Sequence, residues 1–205
     1  VFRAEECLGD IELNVPGEHN ILNSLAAVVL GLEMGLSFNM IAKGMKAYMG
    51  VRRRFDIKGI YDGILIVDDY AHHPTEVTAT LRSARSGWDK RIVAVFQPHL
   101  FSRTKEFFKE FAHALLTADI VIITDIYPAR EQPIAGVTSK LIYDELSIKL
   151  KEGCYLLPDL DALIDTLDEI AQSGDMILTM GAGDIWRYNE SYVNHRKSMS
   201  EGAYS

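Results

Sequence analysis

The chain has 205 residues, of which 48% are hydrophobic and 24% are charged, the ordinary balance of a globular protein. Its net charge of −8 argues against a nucleic-acid backbone as the partner. The two cysteines, Cys7 and Cys154, form neither a disulfide framework nor a zinc motif, and no apolar run is long enough for a membrane span, so we expect a cytoplasmic protein.

The first 50 residues predict one short strand and two helices. The strand is expected at Ile11–Val15, before a turn. Apolar residues along one surface predict a first helix that ends at Gly35, and Ser37 is a suitable N-cap for a second helix up to about Tyr48. Because too few strands accompany these helices, we expect residues 1–50 to be an incomplete domain. The chain also begins with Val rather than Met, which indicates a piece of a longer protein.

Strands and helices alternate over residues 51–205, which predicts an α/β domain. Apolar runs such as Val121–Ile123 and Ile177–Leu178 are typical of strands covered on both faces. We therefore predict a Rossmann-like, mostly parallel sheet with helices on both faces. Strands are predicted at Phe55–Tyr61, Ile64–Val67, Arg91–Phe96, Asp119–Thr124, Cys154–Leu157 and Met176–Met180. Helices are predicted at Pro74–Ser86, Arg103–Leu116, Thr138–Leu150 and Leu160–Gln172. A last helix should start near Asp184 and fray after Tyr192.

The densest group of polar side chains follows the apolar run Ile64–Val67, in the segment Asp68-Asp69-Tyr70-Ala71-His72-His73-Pro74. The carboxyl end of a parallel strand is where open α/β sheets bind ligands. Asp69 is suited to accept hydrogen bonds from ribose hydroxyls, and His72 is suited to contact a carboxylate or phosphate. The alternative is structural: Asp68 caps the turn, and His73 is a structural imidazole with its hydrogen bonds satisfied.

A second group, from Phe96 to Thr104, also follows a strand and precedes a helix. Arg103, in the first helical turn, has a guanidinium group that suits a carboxylate or phosphate. The alternative is that Ser102 is an N-cap and Arg103 a solvated surface charge. We expect the loops after Val67 and Phe96 to lie side by side, so that both groups contribute to one anion pocket.

Three further patterns are weaker. His19 and Asn23 are four residues apart and share a helix face, although a histidine near a helix start is usually structural. The segment Arg52–Arg54 suits either a polyphosphate or a solvated linker. Gly181–Gly183 resembles the start of a dinucleotide fingerprint but lacks the third glycine, so a tight strand-to-helix turn explains it equally well.

Taken together, these motifs resemble the Mur ligases, ATP-dependent enzymes that add amino acids to peptidoglycan precursors. The matching segments are Gly17-Glu18-His19-Asn20-x-x-Asn23, Gly50-Val51-x-Arg53-Arg54-Phe55, Asp68-Asp69-Tyr70-Ala71-His72-His73-Pro74-Thr75-Glu76 and Phe96-Gln97-Pro98-His99-x-x-x-Arg103-Thr104. The resemblance implies that residues 51–205 are the C-terminal domain of such a ligase. It implies that residues 1–50 are the end of its central ATP-binding domain.

The resemblance also implies a reaction, in which ATP activates UDP-N-acetylmuramate as an acyl phosphate and L-alanine then forms the amide bond. Nucleotide-binding roles are implied for His19, Asn23, Arg54, Asp69 and Tyr70. Substrate-binding roles are implied for His72, His99 and Arg103. Leu100 stands where some members have a second arginine, which would place more of the carboxylate binding on Arg103.

No P-loop occurs in this sequence, and the ligands of the Mg²⁺ ion are expected in the absent domains. We therefore expect no metal site and no complete catalytic apparatus in this chain, and no turnover by the chain alone. Three alternatives stay open at this point. They are a murein-peptide ligase of the same family, a non-catalytic nucleotide-binding module and, with less support, a Rossmann-type dehydrogenase.

Overall fold

The computed structural model describes residues 1–202, with side chains up to residue 200. The chain divides into two compact units, Val1–Arg52 and the residues from Arg53 onward. The boundary predicted after residue 50 lies two residues earlier than the observed one. Which domains of a longer protein the two units represent stays a prediction. Within the described part of the chain, no helix has the length and apolar content needed to cross a membrane.

The first unit contains a small hairpin and two helices. Its strands β1 (Phe2–Arg3) and β2 (Glu6–Cys7) pair antiparallel, and they are followed by helices α1 (Glu18–Glu33) and α2 (Phe38–Ala47). Ser37 caps α2, as predicted, by accepting a hydrogen bond from the Met40 N–H.

The strand predicted at Ile11–Val15 is wrong, because this segment is irregular and no described strand pairs with it. Alternating apolar residues favour a strand only where a neighbouring backbone completes the ladder of hydrogen bonds. The hairpin that does form was missed because each of its strands has only two residues.

The second unit is built on one six-stranded sheet. Its strands are β3 (Asp56–Tyr61), β4 (Ile64–Asp69), β5 (Ile92–Phe96), β6 (Ile120–Thr124), β7 (Cys154–Leu157) and β8 (Met176–Met180). Their spatial order is β3-β4-β8-β5-β6-β7, and only the β3–β4 pair is antiparallel. The predicted mostly parallel α/β fold is therefore confirmed.

Helices cover both faces of this sheet. They are α3 (Pro74–Gly87), α4 (Phe101–Leu115), α5 (Lys140–Ser147), α6 (Leu163–Ile170) and α7 (Ile185–Gly202). Successive residues of β4, such as Leu65 and Ile66, enter two separate apolar clusters. One cluster includes residues of α3, α4 and α5, and the other includes residues of α6 and α7. Both faces of the sheet are thus buried, which is what the uniformly apolar strands require.

The prediction that the last helix frays after Tyr192 is wrong, because α7 continues to Gly202. The Tyr192 side chain is buried. The side chains of Arg196 and Ser200 donate hydrogen bonds to the Asp62 carboxylate at 2.9 and 3.0 Å. These polar anchors join residues more than 130 positions apart. No local periodicity could have shown them.

Candidate functional site

The candidate site lies at the carboxyl ends of the parallel strands. β4, β8, β5 and β6 run in the same direction, so the loops that follow them meet at one edge of the sheet. β8 separates β4 from β5, and the strands that carry the two predicted groups are therefore not direct neighbours. Their side chains nevertheless meet, because the His72 and His99 rings are 5.9 Å apart between centroids.

His72, His99 and Arg103 form the centre of this site. The Nη1 atom of Arg103 lies 3.3 Å from Nδ1 of His99, one helical turn away. The His99 ring also stacks on Tyr127, with centroids 5.7 Å apart and planes inclined by 13°. The structure thus brings all three predicted substrate-binding residues together, although their contact with a substrate stays a prediction.

The charge of this cluster resides mainly on Arg103. Burial lowers the pKa of His99 below its ordinary value, and the nearby charges of Arg103 and His72 lower it further, while Glu131 opposes the shift. His99 is therefore neutral at neutral pH, and the Arg103 guanidinium remains a cation. The cluster presents one fixed positive charge beside two imidazoles, an arrangement suited to a carboxylate or a phosphate.

Asp69 is held by the backbone of its own unit. Its Oδ2 atom accepts a hydrogen bond from Phe55 N at 2.8 Å, and Oδ1 accepts one from Ala71 N at 2.7 Å. Burial nevertheless raises the pKa of Asp69 above its ordinary value. The carboxylate therefore fixes the turn after β4, and its predicted contact with ribose is not tested. The adjacent Tyr70 is exposed, and its ring lies 4.9 Å from the Arg53 guanidinium.

Asp68 is completely buried, in contrast to the turn-capping role considered from the sequence. Its carboxylate pairs with Arg53 Nε at 3.2 Å and accepts a hydrogen bond from Thr179 at 2.9 Å. The network continues through Asn189, which donates to the Thr179 hydroxyl, and through Arg53, which donates to the Gly181 carbonyl at 2.6 Å. Burial raises the pKa of Asp68, and Arg53 opposes that shift. The network joins β4, β8 and α7 directly beneath the site.

The remaining predicted nucleotide-binding residues lie on the surface. Arg54 is exposed at the start of the second unit. His19 and Asn23 are both exposed on α1, in the first unit. Their roles stay predictions.

His73 has the structural role that the sequence offered as an alternative. Its Nδ1 atom accepts a hydrogen bond from Thr75 N at 3.4 Å, and Glu76 bonds back to the His73 N–H, so the two residues form a capping box at the start of α3. The corresponding alternative for Ser102 is wrong, because Leu100 is the N-cap residue of α4. Ser102 instead donates from its N–H and hydroxyl to Glu131.

Gln97, Tyr127 and Glu131 also build this edge of the sheet. The sequence motif included Gln97 without giving it a role, and Tyr127 and Glu131 were not predicted. Gln97 is 2% exposed, and its amide donates to Asp184 while its carbonyl accepts from Ile185 N at the start of α7. Tyr127 exchanges backbone hydrogen bonds with the loop after β5, including one from Leu100 N at 2.9 Å. The available signal was the presence of polar residues just after a strand, since Tyr127 and Glu131 follow β6 as Gln97 follows β5.

Gly183 is a packing residue rather than part of a dinucleotide fingerprint. A Cβ atom at this position would clash with the Gln97 side chain and would lie 2.5 Å from Tyr127 Cγ. The glycine therefore lets the loop after β8 pack against the loops after β5 and β6, as the tight-turn alternative proposed. Among the described residues, no group of three or more His, Cys, Asp or Glu side chains could hold a metal ion.

Comparison with known proteins identifies relatives of this arrangement. Residues 53–183 match the family described as "Mur ligase, glutamate ligase domain". The UDP-N-acetylmuramate–L-alanine ligase of Desulforamulus reducens is 49% identical over 193 residues, which cover 94% of this chain and 42% of that protein. The chain thus spans well under half the length of this curated relative.

Solved structures show the same fold. The crystal structure of the UDP-N-acetylmuramate–alanine ligase of Thermotoga maritima matches with a TM-score of 0.78 and 32% identity, over 92% of this chain and 40% of that one. A murein peptide ligase from Psychrobacter arcticus matches with a TM-score of 0.63 at 24% identity, over 91% of this chain and 38% of that one, which shows a shared fold alone. On the match of residues 53–183 and on the identity to these relatives, the chain belongs to the Mur ligase family.

Proposed function

We propose that this chain is the C-terminal part of a cytoplasmic, ATP-dependent ligase that joins L-alanine to UDP-N-acetylmuramate. The 49% identity to an alanine ligase supports this assignment over a murein-peptide ligase, for which the solved relative is 24% identical. The observation that carries the proposal is the contact of Arg103 with His99 beside His72. A fixed cation in contact with one imidazole, with a second imidazole beside it, suits the carboxylate of a small amino acid.

The proposed reaction divides the work between this chain and the rest of the ligase. The muramoyl carboxylate attacks the γ-phosphate of ATP, which gives an acyl phosphate and ADP. The amine of L-alanine then attacks the acyl carbon, and inorganic phosphate leaves. In this scheme Arg103 and His99 hold the alanine carboxylate, so that the amine is directed at the acyl carbon. Asp69, Tyr70 and Arg54 would contact ATP from this chain.

The P-loop and the Mg²⁺ ligands would belong to the part of the ligase outside this chain. Residues 1–50 are proposed to complete that ATP-binding domain, with His19 and Asn23 directed to the nucleotide. The exposed apolar surface of α1 supports this, because Leu22, Val29 and Leu30 are each more than half exposed. The chain alone is therefore expected to show no turnover.

The test is Arg103→Ala in the complete ligase. Removing the guanidinium should raise the KM for L-alanine by about 100-fold, the equivalent of one lost charged hydrogen-bonding pair. The KM for ATP should change by less than about threefold, because ATP is held elsewhere. The matched control is Arg82→Ala, which removes an exposed arginine of α3 and should leave both constants unchanged. Equal losses for ATP and alanine would contradict the assignment.

The amino substrate can be tested separately from the residue. The unaltered complete enzyme should release ADP with L-alanine, ATP and UDP-N-acetylmuramate. Release with a tripeptide in place of L-alanine would support the murein-peptide ligase. Release with neither amine would leave the nucleotide-binding module as the better interpretation.

A further inference from the structure

The two imidazoles of the site have opposite hydrogen-bonding polarity. His72 Nδ1 lies 2.9 Å from the Tyr70 carbonyl oxygen, and a carbonyl can only accept. Nδ1 of His72 therefore carries a proton, and in the neutral ring Nε2 carries a lone pair. The proton acceptor of the neutral His72 ring is therefore Nε2, and this ring lies beside that of His99.

His99 presents the opposite group. Its Nδ1 atom faces Arg103 Nη1 at 3.3 Å, and a guanidinium can only donate. Nδ1 of His99 must then be the acceptor, so the single proton of the neutral ring sits on Nε2. His99 can donate from Nε2 to an anion, whereas it has no free lone pair with which to accept a proton.

Glu76 orients His72 from the first turn of α3. Its Oε2 atom lies 3.3 Å from His72 Nδ1 and accepts hydrogen bonds from the backbone N–H groups of His72 and His73 at 2.9 and 3.1 Å. A carboxylate and a carbonyl at Nδ1 fix the ring and compensate the positive charge that it gains when Nε2 takes a proton. This is the arrangement of a base held by a third group.

We propose that Nε2 of His72 accepts the proton that the ammonium group of the amino substrate must lose before it attacks the acyl phosphate. This inference rests on the proposed ligase function. The ammonium gives one proton to His72, and the free amine then forms the C–N bond. The C–O bond to phosphate breaks with its electron pair, and phosphate leaves. The second amine proton passes to solvent. His99 and Arg103, which cannot accept a proton, hold the carboxylate of the same substrate.

Several groups lie around the His72 ring. Glu76 approaches from α3, Tyr70 precedes it on the same loop, and the His99 ring with Arg103 behind it approaches from the loop after β5.

The deciding experiment uses the complete ligase with His72→Gln and two nucleophiles. Amide formation with L-alanine should fall by about 10²- to 10⁴-fold, the usual contribution of a positioned proton acceptor. Hydroxylamine is largely unprotonated at neutral pH and traps the acyl phosphate as a hydroxamate. Hydroxamate formation should therefore stay within about threefold of the unaltered enzyme. The matched control is His73→Asn, which keeps a good N-cap residue at the neighbouring imidazole and should leave both rates unchanged.

Three results would separate failure of the proton-transfer role of His72 from failure of the proposed ligase function. Equal losses with L-alanine and hydroxylamine would overturn the proton-transfer role, because His72 would then only support the site. Long-range proton–nitrogen NMR correlations on the 205-residue chain should show His72 protonated at Nδ1 and His99 protonated at Nε2, and the reverse pattern would also overturn it. If the unaltered complete enzyme releases no ADP with L-alanine, the proposed ligase function fails instead, independently of the NMR result.

Discussion

The two compact units of this chain differ sharply in how they treat their apolar residues. The second unit buries apolar side chains on both faces of its sheet, in two clusters. In the first unit, Val28 and Ile41 are buried, but Ile21, Leu22, Val29, Leu30 and Met34 are more than half exposed. The comparison teaches that one chain can hold a unit with a closed apolar core and a unit whose apolar residues remain largely at its surface.

The largest expected effect comes from the same substitution made in both units. Leu81 on α3 is fully buried, and Leu30 on α1 is 64% exposed. Leu81→Ala should lower the free energy of unfolding by about 3–5 kcal/mol, because it removes apolar contacts and leaves a cavity. Leu30→Ala should change it by less than about 0.5 kcal/mol. Denaturant unfolding followed by tryptophan fluorescence measures the first, since both tryptophans, Trp88 and Trp186, lie in the second unit.

The effect of Leu30→Ala on stability is measured by hydrogen exchange of the α1 backbone amides. The same substitution should also be made in the complete ligase. If the proposed remainder of the ligase covers α1, Leu30→Ala in the complete ligase should lower the free energy of unfolding by more than about 1 kcal/mol. An equally small effect in the complete protein would show that this surface stays exposed, and it would contradict the proposed domain assignment.

Ion pairs give a second, smaller contrast. Asp68→Ala leaves the Arg53 guanidinium and the Thr179 hydroxyl without their shared buried partner, so we expect a loss of about 3 kcal/mol. Glu12→Ala removes a pair with Lys46 in which both side chains are 64% exposed, so we expect less than about 1 kcal/mol. Asp68→Asn keeps the shape and part of the hydrogen bonding, and it should lie between the two. Similar losses of unfolding free energy for Asp68→Ala and Glu12→Ala would contradict the claim that burial makes the Asp68 pair the more important one.

The fold of the second unit could be predicted from sequence because the information is local. Apolar runs of strand length, separated by segments of helical length, define a mostly parallel sheet almost without alternatives. The first unit was harder to predict. Strands β1 and β2 are too short to show an alternation of apolar and polar residues, whereas Ile11–Val15 shows this alternation but has no partner strand. The end of α7 was missed for the opposite reason, since Arg196 and Ser200 are polar yet anchored on Asp62.

The location of the site could be predicted from the sequence, but the hydrogen-bonding roles of its residues could not. Strand-end positions indicated His72, His99 and Arg103, and these side chains do meet. The sequence could not show that the two imidazoles differ in polarity, because that depends on whether Nδ1 faces a carbonyl or a guanidinium. Nor could it show that Tyr127, from a different strand end, stacks on His99. Such properties come from distances between loops, which composition and spacing do not encode.

Glycine positions give the smallest single effects, and the two units should respond to them with opposite signs. Gly183→Ala would push a Cβ atom against Gln97 and Tyr127, so we expect a loss of about 1–3 kcal/mol from overpacking. Gly44 lies inside α2, and apart from its chain neighbours and the backbone of α2 itself no atom lies within 4 Å of a Cβ position there. Gly44→Ala should therefore stabilise α2 by up to about 1 kcal/mol through helix propensity alone. Tryptophan fluorescence reports the first change and hydrogen exchange in α2 the second. A destabilised α2 in Gly44→Ala would mean that this surface is already in contact with other protein, and the contrast between the packed and the open unit would no longer hold.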